Sequence, residues 1–248
     1  MIKAVIICSG GMDSTTLLYY LRSMQTVPNL DPLYDLYAIT FDYGSKHNEI
    51  EGKYAKFHCN KLAIPHKTIK LDFDKWGFKS DLLKSGGKIP EGHYSEDTMA
   101  ATVVPFRNAI MLSIAVGVAE SIGATKVFLG SHKGDRAQYK DCTYEFTQAF
   151  NLASVLGTKN EVRIESPFND WFKWDICKTG LNYSVPFEST HSCYLGQEPP
   201  CGRCSTDIER IEAFYRNGVK DPKYSDEEWK KAVKHMQEVL KEFNNRVK

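Results

Sequence analysis

The run Ser9-Gly10-Gly11-Met12-Asp13-Ser14 constrains this chain more than any other feature. It follows Val5-Ile6-Ile7, a short β-branched run suited to a strand buried on both faces. It precedes Leu17, Leu18, Leu21 and Met24, which recur at helical spacing. A strand that turns through Ser-Gly-Gly into a helix aims backbone N–H groups at one point. The orphan donors and the helix dipole make that point an anion site. Adjacent glycines let the backbone approach a phosphate closely, and Ser9, Ser14 and Thr15 add hydroxyls. No Gly-Lys-Ser/Thr follows, so the loop is not of the Walker type. A bare Gly-Gly pair would more often be an ordinary tight turn. The whole string at the first strand favours phosphate.

Further along, short apolar runs alternate with helical patterns. Leu36 to Phe41, Thr68 to Leu71, Lys126 to Gly130 and Val162 to Ile164 read as strands. Residues 49–62, 107–122 and 143–155 read as helices, the second buried nearly all round and ended by Gly123. Alternation of this kind predicts an α/β fold with a doubly wound parallel sheet. Residues 72–104 lack periodicity and read as a long, partly mobile loop able to cover a site.

After residue 185 prolines and glycines surround clustered cysteines. The organisation expected is an α/β nucleotide domain over 1–185, a Cys-rich segment over 186–224 and an amphipathic helix over 225–248. Thr206 to Glu209 and Ser225 to Glu228 both fit capping boxes. In the last helix Trp229, Val233, Met236, Leu240 and Phe243 form one stripe. Such a stripe needs a partner, either its own domain or a second copy in a homodimer.

Composition narrows the setting. A chain of 248 residues, 42% apolar, can bury a sizeable core. A formal net charge of +1 gives no sign of a nucleic-acid-coating surface. No run of roughly 18 apolar residues is read as a membrane span, and the opening residues have no signal-peptide pattern. A cytoplasmic enzyme without membrane or direct nucleic-acid partners is expected. Of the seven cysteines, Cys193, Cys201 and Cys204 lie close together. The Cys201-x2-Cys204 knuckle suggests a metal before a disulfide.

The string at residues 9–14 resembles the PP-loop signature of the ATP pyrophosphatases, which adenylate a substrate oxygen and release pyrophosphate. Further strings are similar to the 7-cyano-7-deazaguanine synthase family. These are Phe41-Asp42-Tyr43-Gly44-Ser45-Lys46-His47 with Glu49, Val104 to Asn108, Asp135 with Tyr139 to Cys142, Lys173 with Asp175-Ile176, and Ser192 to Gly196 leading to Cys204. The match runs from about residue 4 to residue 224 and omits the final helix. The resemblance implies that ATP and Mg²⁺ drive 7-carboxy-7-deazaguanine and ammonia to an amide and then to the nitrile. It places ATP at Cys8, Ser9, Gly10, Gly11, Met12, Asp13, Ser14, Thr15, Thr16, Leu17, Leu18 and Gly130. Asp13, Ser14 and Arg107 are the expected catalytic residues, with Tyr43, His47, Glu49, Asp135 and Lys173 at the substrate. A variant stopping at the amide, another PP-loop ligase acting on tRNA, and a retired nucleotide-binding protein are the competing readings.

Two departures from the family pattern stand out. Phe106 occupies a glycine position beside Arg107. Asp207 stands where the family has a fourth cysteine. Zinc accepts a carboxylate oxygen, so a site of Cys193, Cys201, Cys204 and Asp207 is expected, with His191 the alternative fourth ligand.

Overall fold

The computed structural model describes residues 1–24, 34–93 and 97–246. Five parallel strands form one sheet: β1 (Ile2–Ile7), β2 (Tyr34–Asp42), β3 (His66–Lys70), β4 (Lys126–Phe128) and β5 (Arg163–Glu165). Their order is β3-β2-β1-β4-β5. The chain first winds outward from β1 to β3, then returns to the other side of β1 with β4. Direction therefore reverses between β1 and β4, which opens a crevice at their C-terminal ends. The expected doubly wound parallel sheet is what the chain forms.

Helices cover both faces. α3 (Arg107–Ser121) and α4 (Tyr144–Gly157) lie on one, where Met111, Leu112 and Ala115 pack on Val5, Ile39 and Val127. α1 (Met12–Ser23), α2 (Asn48–Lys61) and α5 (Lys173–Asn182) lie on the other, where Leu17, Leu18 and Leu21 meet Ile6, Ala38 and Phe128. Side chains buried on both faces explain why the inner strands read as apolar runs rather than as alternating ones. The sequence reading places no element at α5. One span, Met99–Ser121, is long and apolar enough by composition to cross a membrane, contrary to the sequence reading. Within it, α3 packs its apolar side chains on the sheet.

The expectation for residues 72–104 is corrected. Phe73, Leu82, Leu83 and Ile89 are buried in the core, and Phe73 stacks on Phe78 at 4.5 Å. The Lys46 ammonium donates to the carbonyls of Asp81 (2.5 Å) and Gly87 (2.6 Å). None of the segment's described residues lines the main cavity, and residues 94–96 lie outside the described part. Scattered apolar residues without a period were enough to anchor irregular backbone, because each fills its own gap.

The C-terminal part packs on the sheet domain through α6 (Ser205–Arg216). Ala213 and Phe214 join Met12, Tyr19, Cys177 and Phe187. Arg210 is wholly buried and grips Asp221 with two hydrogen bonds of 2.6 and 2.9 Å, while also donating to Thr190 and the Phe187 carbonyl. The capping box expected at Thr206 does not form. α6 starts at Ser205, Thr206 donates its hydroxyl to the Ser192 carbonyl (2.7 Å), and Glu209 is taken by Lys173. A buried ammonium is the stronger partner for that carboxylate. The second expected box does form, since Ser225 N–H donates to Glu228 and Glu228 N–H to the Ser225 hydroxyl. It starts α7 (Asp226–Arg246), whose Trp229, Val233, Met236 and Leu240 pack with Ile208, Ile211 and Tyr224. Phe243 stacks on His93 at 3.9 Å. The stripe thus packs against α6 and Tyr224 within its own chain.

Candidate active site

The crevice between β1 and β4 holds a cavity lined from the glycine loop, the ends of β2 and β4, the starts of α3 and α5, and the segment leading into α6. One wall is the glycine loop. Gly10 has φ +89, and a side chain there would run into the Glu51 carbonyl. Glycine is required on both counts. The Ser9 hydroxyl accepts from Gly11 N–H, and the Ser14 hydroxyl accepts from Ser9 N–H, each at 3.1 Å. The loop is therefore preset before any ligand arrives. Gly11 caps α1 without a side-chain bond, so the first-turn N–H groups are left for a ligand. Gly130 lies close behind: a Cβ there would sit 3.3 Å from the Ser14 backbone. The His191 N–H donates to the Gly10 carbonyl (3.0 Å) and ties the C-terminal segment to the loop.

Not every expected nucleotide residue reaches the cavity. Ser9, Gly11, Met12, Asp13, Ser14 and Gly130 line it. Gly10 shapes it through its backbone, as described. Cys8, Thr15, Thr16, Leu17 and Leu18 are fully buried and do not line it. They fix the strand and helix that carry the loop, because the inward side of α1 faces the sheet.

Behind Asp13 lies a charge cluster. The Lys173 ammonium sits 2.8 Å from Glu209 and 3.3 Å from Asp13. Burial alone would lower the lysine's pKa, yet Asp13 and then Glu209 hold it above the ordinary value. His132 Nε2, buried and without a hydrogen bond, lies 3.7–3.9 Å from carboxylate oxygens of Asp135, Asp13 and Glu209. Asp135 accepts from His132 N–H and lines the cavity.

The opposite wall is aromatic and cationic. Arg107 donates to the Tyr43 hydroxyl at 3.0 Å and lies over the rings of Tyr43 (5.4 Å) and Tyr139 (5.8 Å). It pairs with no carboxylate among the described residues. An arginine set against rings rather than acids keeps its forked donors for an incoming anion. Asp141 and Cys142 fix the start of α3 by accepting from Asn108 N–H (2.8 Å) and its amide (2.9 Å). The residue before Arg107 explains the family's glycine. Phe106 has φ +55, a left-handed conformation costly to any side chain. Its ring is 64% exposed and meets the edge of Phe146. Phe106→Gly is therefore expected to leave stability within about 1 kcal/mol, despite removing an aromatic ring. Phe106→Val, β-branched in the same conformation, should lower it by about 1–2 kcal/mol. Urea unfolding of the two variants checks both, and a loss of several kcal/mol in the glycine variant would contradict the strain account.

His47 and Glu51 complete the site. Burial, helped by Arg107, pushes His47 down to about 3, so the ring is neutral. Its Nε2 lies 3.3 Å from the Tyr43 hydroxyl and 3.8 Å from Glu51. Glu49, expected here, is exposed and does not line the cavity. Two residues along a helix turn the side chain about 200° away, whereas four bring it back to the same face. Glu51, at i+4 from His47, is the residue the sequence reading missed, and that spacing was the available signal. Burial pushes its carboxyl up to about 8 against the pull of Arg107.

A second cluster lies behind the cavity wall. One sulfur each from Cys193, Cys201 and Cys204 and one carboxylate oxygen of Asp207 all lie within 4.8 Å of one another. Asp207 is fully buried, and its Oδ1 has no partner. Three sulfurs and an orphaned carboxylate oxygen suit a cation and suit little else. His191 stays outside the group, its Nε2 bonded to the Cys193 carbonyl at 2.7 Å. It lines the cavity instead.

A parallel sheet with a glycine loop at its switch point, faced by lysine and arginine, defines a nucleotide-binding enzyme of the PP-loop class. The fold is similar to that of the U34-tRNA thiolase NcsA from Methanococcus maripaludis, with a TM-score of 0.51 and 16% identity over 95% of this chain and 73% of that one. The family model for Queuosine biosynthesis protein QueC matches residues 3–218. The 7-cyano-7-deazaguanine synthase of Porphyromonas gingivalis is 44% identical over 219 residues, 88% of this chain and 95% of the relative. That of Archaeoglobus fulgidus is 44% identical over 244 residues, 96% of each chain. The chain belongs to the QueC family.

Proposed function

We propose that this chain is an ATP-dependent C–N ligase that converts 7-carboxy-7-deazaguanine and ammonia to 7-cyano-7-deazaguanine. One observation carries the reading. The glycine loop and Arg107 face each other across a single cavity, so a phosphate chain and a carboxylate can be held in line. The first-turn N–H groups of α1, with the hydroxyls of Ser9 and Ser14, bind the polyphosphate. Lys173, held by Asp13 and Glu209, offsets charge on the leaving pyrophosphate. Arg107 grips the carboxylate whose oxygen attacks the α-phosphate, and Tyr43 orients Arg107. Asp135 accepts from the N–H edge of the base, as carboxylates do from base donors. Tyr43 and neutral His47 complete the substrate wall. Glu49 takes no part.

Two metals fit the residues present. Asp13, with an unpartnered Oδ1, suits the Mg²⁺ that accompanies ATP and screens its phosphates. Cys193, Cys201, Cys204 and Asp207 would hold zinc, which would staple the irregular segment to α6. The substrate is a small molecule, with no direct nucleic acid and no membrane, and seven free cysteines suit a cytoplasmic setting.

Mass spectrometry of products from 7-carboxy-7-deazaguanine, ATP and ammonia tests the reading. The expected product is the nitrile, with pyrophosphate released only when substrate is present. Accumulated amide would make this the shortened variant, and no pyrophosphate at all would overturn the enzyme reading.

A further inference from the structure

The reaction just proposed leaves a proton problem at one nitrogen. When ammonia adds to the acyl adenylate, the C–O bond to AMP breaks and the nitrogen loses one proton. When the amide oxygen then attacks a second ATP, pyrophosphate leaves and an O-adenylated amide forms. Release of the nitrile breaks the remaining C–O bond, expels AMP and takes two more protons from the same nitrogen. The cavity must therefore contain a group that accepts protons repeatedly and returns them to water.

The carboxylates lining the cavity can be taken in turn. Asp13 is paired with Lys173, and Asp135 accepts from the His132 backbone. Glu51 remains. It lines the cavity, is 15% exposed, and receives no hydrogen bond among the described residues. Its nearest polar neighbour among them is the neutral ring of His47, 3.8 Å away. It stands against the glycine loop, since a Cβ on Gly11 would lie 3.7 Å from its Oε1. That places its carboxyl on the same cavity as Arg107, at the edge of the phosphate loop.

We propose that Glu51 accepts the protons lost by the substrate nitrogen in amide formation and in nitrile release. This role rests on the function proposed above. The groups near Glu51 are His47 just before its helix, Tyr43 just after β2, Asp13 from α1, Cys8 just after β1 and Arg107 from α3. Of these, His47 is neutral throughout the working range because its buried ring sits at about 3. A carboxyl held at about 8 is mostly protonated at pH 7 and becomes a better-populated base as pH rises.

The test uses the whole enzyme with 7-deazaguanine carboxylate or amide as substrate. Supplied with the amide, E51Q should release a single-turnover burst of pyrophosphate and then form nitrile at least about 100-fold more slowly than the native enzyme. The native nitrile-forming rate should climb with pH and level off above about 8, and the climb should vanish in E51Q. The burst itself shows that the variant is folded and binds ATP. Nitrile formation by E51Q at the native rate and with the native pH profile would overturn the role. Loss of the burst would overturn it too, by placing Glu51 in nucleotide binding. If the native enzyme releases no pyrophosphate with either substrate, the proposed function fails first and the two failures are told apart.

Discussion

Lys173→Met is expected to lower substrate-dependent pyrophosphate release by about two to three orders of magnitude, and Asp13→Ala or Ser14→Ala to have an effect of similar size. Donors aimed at a transferring group each contribute roughly 2.7–4 kcal/mol to lowering the barrier. Lys173 is the cation behind the glycine loop, and Asp13 is the one of its two carboxylate partners that lines the cavity. The methionine variant also leaves Asp13 and Glu209 facing each other with their buried cation gone. A broken buried pair of this kind costs about 3–5 kcal/mol of stability. Asp13→Ala is milder for the fold, because Glu209 still holds the lysine at 2.8 Å. Pyrophosphate assays and urea unfolding of both variants separate the two effects. Native turnover in Lys173→Met would refute the assigned role of the cluster.

The other large effect concerns the cysteine cluster. Freshly purified protein is expected to carry about one zinc per chain, and Cys204→Ser to lose it. Structural zinc has an apparent binding free energy of about 10–16 kcal/mol at neutral pH, which is coupled to folding. Loss of a thiolate should therefore lower the melting temperature far more than it lowers ATP affinity. Asp207→Cys should keep the metal, because sulfur at that position completes a tetrahedron that zinc accepts equally well. Elemental analysis and calorimetry read both variants. A native protein free of metal, or a Cys204→Ser variant with unchanged melting, would refute the assignment.

What was legible in the sequence was local. β1, the glycine turn and α1 are consecutive, so their joint meaning could be read from one short stretch. The strands and buried helices announced themselves by apolar runs, and Gly123, with φ +72, ended α3 as expected. The cysteine spacing pointed to three candidate ligands, and Asp207 lies beside them in space. What failed depended on rotation or on distant partners. Glu49 and Glu51 differ only in which way a helix turns them. Thr206 looked like a cap until Ser192 and the helix start at Ser205 were seen together. His132 and Glu209 carry no motif: His132 comes beside Asp13 only when β4 pairs with β1, and Glu209 joins them only once α6 has docked. The reading of Cys8 and of Thr15 to Leu18 as nucleotide contacts extended a motif inward past the residues that the crevice exposes.

The central strand has a consequence for how the chain is made. β1 emerges first, but its neighbour β4 arrives about 120 residues later and the lysine behind the loop about 160 residues later. The N–H that ties down Gly10 belongs to His191. A growing chain on the ribosome therefore carries the glycine loop for most of its synthesis without the groups that complete it. Nucleotide binding should therefore switch on only after the segment carrying His191 has left the exit tunnel.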